Sequence, residues 1–109
     1  MALLCLITGG NSGIGKEVAR QLLQRGHRVI LACRDMTRGQ SVMQELLGPS
    51  AAAGRGGTPA VELVQCDLGS LDSVRQCAEE VLGRHPLLNV LVCNAGVVMQ
   101  RSVSITVLV

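Results

Sequence analysis

Thr8-Gly9-Gly10-Asn11-Ser12-Gly13-Ile14-Gly15 is the stretch on which the reading of this chain turns. It follows an apolar run, Ala2-Leu3-Leu4-Cys5-Leu6-Ile7, and precedes a segment with Ile14, Val18, Ala19, Leu22 and Leu23 at helical spacing. A buried strand, a glycine turn and a helix start are therefore expected in that order. Gly9, Gly13 and Gly15 fall at Gly-x-x-x-Gly-x-Gly spacing. Glycines in such a turn let the chain reverse, let backbone approach a ligand and let helix pack closely on strand. The helix start adds N–H groups without helical partners and a partial positive charge. Together these features suit a pyrophosphate.

Outward from this turn, strands and helices alternate. The first strand is expected over residues 3–8 and the first helix over 13–25, with Gly26 ending it. A second strand over 27–33 has Val29, Ile30, Leu31 and Ala32 as its apolar centre. A second helix over 36–47 turns Val42, Met43, Leu46 and Leu47 inward, and Gly48-Pro49 stops it. Residues 50–59 are small and glycine-rich and read as a surface loop. A third strand is expected over 60–66. The third helix, over 70–82, has Ser70 as N-cap and Leu71, Val74, Cys77 or Ala78, Val81 and Leu82 inward. A fourth strand covers 87–93. Crossovers of this length join parallel strands in the right-handed sense. The fold class is therefore α/β: a Rossmann-like, doubly wound parallel sheet truncated to about four strands and three helices, in spatial order 3-2-1-4.

Composition narrows the functions. At 109 residues the chain is one small domain, and 48% hydrophobic with 17% charged residues suits a globular core. Phe, Tyr and Trp are all absent, so no aromatic platform exists for stacking bases. The net charge of +2 is too small to draw a nucleic acid or a membrane surface. No segment approaches the ~20 apolar residues that span a bilayer. The five cysteines, Cys5, Cys33, Cys66, Cys77 and Cys93, are odd in number with no Cys-x-x-Cys pair. They read as reduced core residues of an intracellular protein. His27 and His85 are isolated and fit no metal-ligand spacing. Met1 runs straight into the first strand, so no signal peptide is expected, and the cytoplasm is the expected location.

In an open parallel sheet, ligands bind beyond the carboxyl ends of the strands. The second strand ends in Cys33-Arg34-Asp35, with Arg38 one helical turn later. An acidic side chain at this point accepts from a ribose 2′-hydroxyl, while arginine holds a 2′-phosphate. Two guanidiniums favour the phosphate by charge and by forked geometry, so NADPH is preferred over NADH. The alternative leaves Arg34 a solvated loop charge and makes Asp35 an N-cap. The third strand ends in Cys66-Asp67-Leu68, where a carboxylate can meet an adenine amino group or merely cap the next turn. The fourth ends in Cys93-Asn94-Ala95-Gly96. Small residues there leave room for a cofactor, and the Asn94 amide can also tie neighbouring strands.

Thr-Gly-x-x-x-Gly-x-Gly after the first strand, Asp-Leu after the third and Asn-Ala-Gly after the fourth resemble the short-chain dehydrogenase/reductase family. Asn11-Ser12-Gly13-Ile14-Gly15 with Ala32-Cys33-Arg34-Asp35 is similar to its retinol dehydrogenase-like branch. The resemblance covers residues 3 to about 99 and implies a nicotinamide dinucleotide cofactor. It implies that Gly9, Ser12, Gly13, Ile14 and Gly15 surround the pyrophosphate and that Arg34 and Arg38 meet the 2′-phosphate. Asp67 and Leu68 would read the adenine, and Asn94, Ala95 and Gly96 would line the cofactor. Cys93 departs from the commoner asparagine at its position.

The family's reaction is hydride transfer between nicotinamide and an alcohol or carbonyl carbon, aided by a Tyr-x-x-x-Lys pair. This chain has no tyrosine, and its only lysine, Lys16, lies in the first helix. No catalytic residue is therefore assigned, and the 109 residues alone are expected to be inactive. A small alcohol or carbonyl substrate is expected only in a full-length form. Residues 1–99 read as the NADP-binding half-domain and 100–109 as an atypical tail. That tail, Ser102-Val103-Ser104-Ile105-Thr106-Val107-Leu108-Val109, is β-prone. It could pair antiparallel on the open edge of the fourth strand. The favoured account makes it a new tail from splicing, a frameshift or a gene-prediction error. A catalytically inactive NADPH-binding module and a non-functional truncated product are the alternatives to the enzyme reading. A nucleoside-binding fold of another class, such as a methyltransferase, is the weakest of them.

Overall fold

The first strand, β1 (Leu4–Thr8), is apolar on both sides, and both sides are covered. Cys5 and Ile7 have no solvent exposure at all. A strand buried this way has to sit inside a sheet with helices on both faces. The computed structural model, which describes residues 2–9, 13–48, 60–93 and the backbone of 106–108, places it there.

β1 pairs in parallel with β2 (Arg28–Cys33), from Leu4 opposite Arg28 to Thr8 opposite Ala32. On its other side it pairs in parallel with β4 (Val90–Cys93), from Cys5 opposite Val90 to Thr8 opposite Cys93. β3 (Val61–Gln65) extends the parallel ladder beyond β2. β5 (Thr106–Leu108) adds an antiparallel edge to β4, with Leu91 opposite Leu108 and Cys93 opposite Thr106. The strand order is β3-β2-β1-β4-β5, so the expected 3-2-1-4 arrangement holds. The β-prone tail takes the antiparallel position available to it.

The helices are α1 (Gly13–Gln24), α2 (Met36–Leu47) and α3 (Leu71–Arg84). They divide the core in two, by the strict alternation of side chains along each strand. Ile7, Val29, Leu31, Cys33 and Val61 lie together with Ala19 of α1 and Val42 of α2. Leu4, Ile30, Ala32, Val64 and Cys66 lie together with Cys77 and Val81 of α3. Val18, Leu22, Leu23, Met43, Leu46 and Leu47 pack against the first of these clusters, as their helical spacing requires.

Three apolar residues expected inward are not. Ile14 is 74% exposed, Leu71 74% and Leu82 62%. On α3 the buried line runs through Cys77 and Val81, with Val74 beside it. Leu71 and Leu82 lie about a quarter turn round the helix from that line, at 100° per residue. Ile14 stands one turn ahead of the residues by which α1 docks. Ala78, the alternative to Cys77, is exposed.

The element ends also have local causes. Val29 N–H still donates to Ala60 O, and Cys66 N–H to Cys33 O, both at 2.9 Å, so the β2–β3 ladder outruns β3 by a bond at each end. β4 starts late because Asn89 closes its amino end: its Oδ1 accepts from Leu4 N–H at 2.8 Å and its own N–H donates to Leu4 O at 3.1 Å. Ser70 caps α3 as expected, accepting from Ser73 N–H. The helix outruns its expected end by two residues, and Arg84 Nη1 donates to Leu63 O at 3.2 Å, pinning the last turn to β3. There the Glu62 carboxylate gathers His85 Nε2 at 2.8 Å, Arg28 at 3.2 Å and Arg84 at 3.8 Å. Cys5, Cys33, Cys66 and Cys77 are buried free thiols, with Cys77 in α3 as expected.

Two measurements check this packing. Ile7→Val removes one methylene from a site with no exposure and should cost about 0.5–1.5 kcal/mol in urea unfolding. Asp35, the N-cap of α2, accepts from Thr37 N–H at 3.0 Å and Arg38 N–H at 3.3 Å. Asp35→Ala should cost about 1 kcal/mol and Asp35→Asn much less.

Candidate functional site

β1, β2 and β3 are parallel and in register, so their carboxyl ends open on one edge of the sheet. The residues singled out in the sequence reach that edge from three connections. From β1 come Gly9 and, past the turn, Gly13, with φ of 66° and 59°. Both angles lie in the left-handed region, where a side chain would be strained. Gly15 is buried in the first turn of α1, while Ile14 beside it faces solvent. The N–H groups of Gly13, Ile14 and Gly15 open α1 and have no partner earlier in that helix.

From β2 come Arg34, Asp35 and Arg38. Both arginines are exposed, and among the described residues neither guanidinium has a carboxylate partner. Asp35 is turned away to cap α2. Its carboxylate and burial together push the neighbouring Cys33 thiol up, burial being the larger cause, so the sulfur under this strand end stays protonated. The edge thus presents two unpaired positive charges beside one carboxylate already held by backbone donors.

From β3 come Asp67 and Leu68. Asp67 Oδ1 accepts from Gly69 N–H at 2.9 Å, and Asp67 N–H donates to Ser73 Oγ at 2.8 Å. Ser70 N–H donates to Asp67 O at 3.0 Å. The loop is locked by its own polar groups, and Leu68 stands on its outside, 44% exposed. Ser12, Asn94, Ala95 and Gly96 fall outside the described residues. Between β1 and β4 the Thr8 hydroxyl lies 3.5 Å from Val92 O, at a residue only 8% exposed. The sequence places Thr8 at the head of the glycine motif and Ser73 in the first turn of the third helix; the partners of their hydroxyls emerge only once strands and loops are juxtaposed.

The remaining chemistry-bearing groups are engaged elsewhere. Lys16 Nζ lies 2.7 Å from both Glu45 carboxylate oxygens, bridging α1 and α2. His27 Nδ1 accepts from Leu3 N–H at 3.1 Å. Among the described residues no group of three His, Cys, Asp or Glu could hold a metal ion, and no helix is long and apolar enough to cross a membrane.

Comparison with known proteins agrees with this layout. The short chain dehydrogenase family model matches residues 4–107. Retinol dehydrogenase 14 of Mus musculus is 45% identical, over 84% of this chain and 29% of its own length. The menthone neomenthol reductase of Mentha piperita superposes with a TM-score of 0.76 at 32% identity, covering 89% of this chain and 32% of its own. An alcohol dehydrogenase of the archaeon Thermococcus sibiricus, complexed with 5-hydroxy-NADP, superposes with a TM-score of 0.73 at 28% identity, covering 89% of this chain and 38% of its own. The chain spans less than a third of the length of the curated relatives it matches. With the family match running from the start of β1 into β5 and the glycine turn at its head, this chain belongs to the short chain dehydrogenase family.

Proposed function

We propose that this chain is the dinucleotide-binding part of an oxidoreductase, and that it holds NADPH in preference to NADH. The observation that carries the preference is the pair of exposed arginines at the end of β2 that have no carboxylate partner among the described residues, beside an aspartate that caps a helix. A ribose 2′-phosphate brings charge that two guanidiniums can take up with forked geometry. A 2′-hydroxyl would want a carboxylate acceptor there, and Asp35 already spends its Oδ1 on the N–H groups of Thr37 and Arg38. The left-handed glycines of the β1–α1 turn support a close backbone approach to the pyrophosphate, near Gly9, Ser12, Gly13, Ile14 and Gly15. Asp67 and Leu68 border the adenine in this reading, and Asn94, Ala95 and Gly96 line the adjoining ribose.

When bound, the nicotinamide cofactor supplies or accepts a hydride. The residues of this chain bind and orient it; none of them moves a proton at a substrate oxygen. The sequence has no tyrosine, and its one lysine is held by Glu45 at 2.7 Å. Residues 1–99 form the binding half in this reading, and the tail lends β5 to its edge. Alcohol oxidation or carbonyl reduction belongs to a longer form that carries its own acid–base pair. The buried thiols suit a reducing compartment, in keeping with a cytoplasmic location.

Titration of NADPH followed by its own fluorescence, with no tryptophan background, tests the binding claim. A saturable change is expected, with NADPH at least about tenfold tighter than NADH, roughly one charge-assisted contact. Arg34→Ala with Arg38→Ala should bring the two affinities together. A flat response up to millimolar NADPH would refute the proposal. In a separate assay with small aldehydes and retinal-like carbonyls, NADPH oxidation by the 109-residue chain should stay at background; turnover would overturn the claim of inactivity.

A further inference from the structure

Gly39 is the fourth residue of α2 and is buried against the sheet. A Cβ at this position would lie 3.2 Å from Cys33 Sγ, 3.3 Å from Leu63 Cδ2 and 3.4 Å from Cys33 Cβ. Its φ is outside the left-handed region, so the backbone conformation does not call for glycine. Space does. A glycine inside a helix costs about 1 kcal/mol relative to alanine, and here the cost is offset by a close seat on the sheet.

What rests on that seat is the turn that carries the second guanidinium. Gly39 N–H donates to Asp35 O at 3.0 Å, and the Asp35 carboxylate holds the N–H groups of Thr37 and Arg38. Arg34 follows Cys33 directly on the strand side. The Gly39–Cys33 contact therefore sets how far the turn bearing Arg38 stands from the strand end bearing Arg34.

We infer that Gly39 is a positioning residue: by seating the first turn of α2 on Cys33, it sets the spacing of Arg34 and Arg38 that selects a phosphate over a hydroxyl on the cofactor ribose. The inference rests on the reading given under Proposed function. An added methyl lifts the turn by a few tenths of an ångström, which a single phosphate shared between two guanidiniums registers and a hydroxyl does not.

The test is titration of NADPH and of NADH into the 109-residue chain and its variants. Gly39→Ala should weaken NADPH about fivefold and NADH less than about twofold, the size of a loosened charge-assisted contact. Cys33→Ala removes the sulfur, the nearest atom the new methyl would meet, and leaves Leu63 Cδ2, the end of a flexible side chain, to give way. In the Gly39→Ala, Cys33→Ala double variant the NADPH-to-NADH ratio should return to within about twofold of Cys33→Ala alone, the coupling expected of groups in contact. Equal loss of both cofactors in Gly39→Ala, or no recovery in the double variant, would overturn the inference and show a packing role only. If Gly39→Ala does not fold, Cys33→Val crowds the same contact from the strand side; it should show the same selective loss, and an unchanged ratio would overturn the inference. A parent chain that binds neither cofactor, or prefers NADH, fails the underlying reading and this inference with it. A parent that prefers NADPH while Gly39→Ala loses both cofactors equally fails the inference alone.

Discussion

The parallel pairing of β1 with β2 on one side and β4 on the other organises the fold. β1 is also covered on both faces, and two of its residues see no solvent. Parallel neighbours cannot be joined by tight turns, so each pairing commits the chain to a crossover long enough for a helix. Once β1 takes β2 on one side and β4 on the other, α1 and α2 must lie on one face and α3 on the opposite one. The two apolar clusters follow from that division, since alternate residues of the same strand feed opposite faces. The carboxyl ends of β1, β2 and β3 then lie along a single edge.

That edge owes its character to what its polar groups are already doing. Asp35 spends its Oδ1 on the N–H groups of the first turn of α2, which are close by and pre-aligned. Asp67 likewise spends one oxygen on its own loop. The arginines have no such commitments among the described residues, and their charge remains available. The charge balance of this edge is thus as much a matter of which carboxylate oxygens are occupied as of which cations are present.

At the opposite end of the sheet, Glu62 draws together Arg28, Arg84 and His85 from β2, the end of α3 and its cap. Glu62 and Arg28 are on neighbouring strands, and the other two arrive only because α3 packs back across β3. Nothing in their spacing along the chain links them. The same holds for Lys16 and Glu45, which meet because α1 and α2 share a face. Helix faces were only partly legible for a related reason. Apolar spacing marks a stripe on α3 that includes Leu71 and Leu82, but docking uses the narrower line through Cys77 and Val81. The inward residues of β1 and β2 were easier to read than helix faces, since a parallel strand buried on both faces leaves no choice of side.

The order and kind of the elements, the 3-2-1-4 arrangement and the glycine turn that heads it are all written in the chain. Local patterns carry that information: apolar runs, helical spacing, and stop signals such as Gly26 and Gly48. The cap at Ser70 was equally legible, because an N-cap is a contact within one turn. The cap at Asp35 stood among the readings of the sequence for the same reason, whereas only packing showed that Arg34 and Arg38 lack carboxylate partners among the described residues and that Gly39 is glycine for want of space above Cys33. Tertiary structure also decided that residues 106–108 close on β4 in the antiparallel sense. These outcomes depend on which surfaces come within a few ångströms of one another, and that distance exists only after the sheet has assembled.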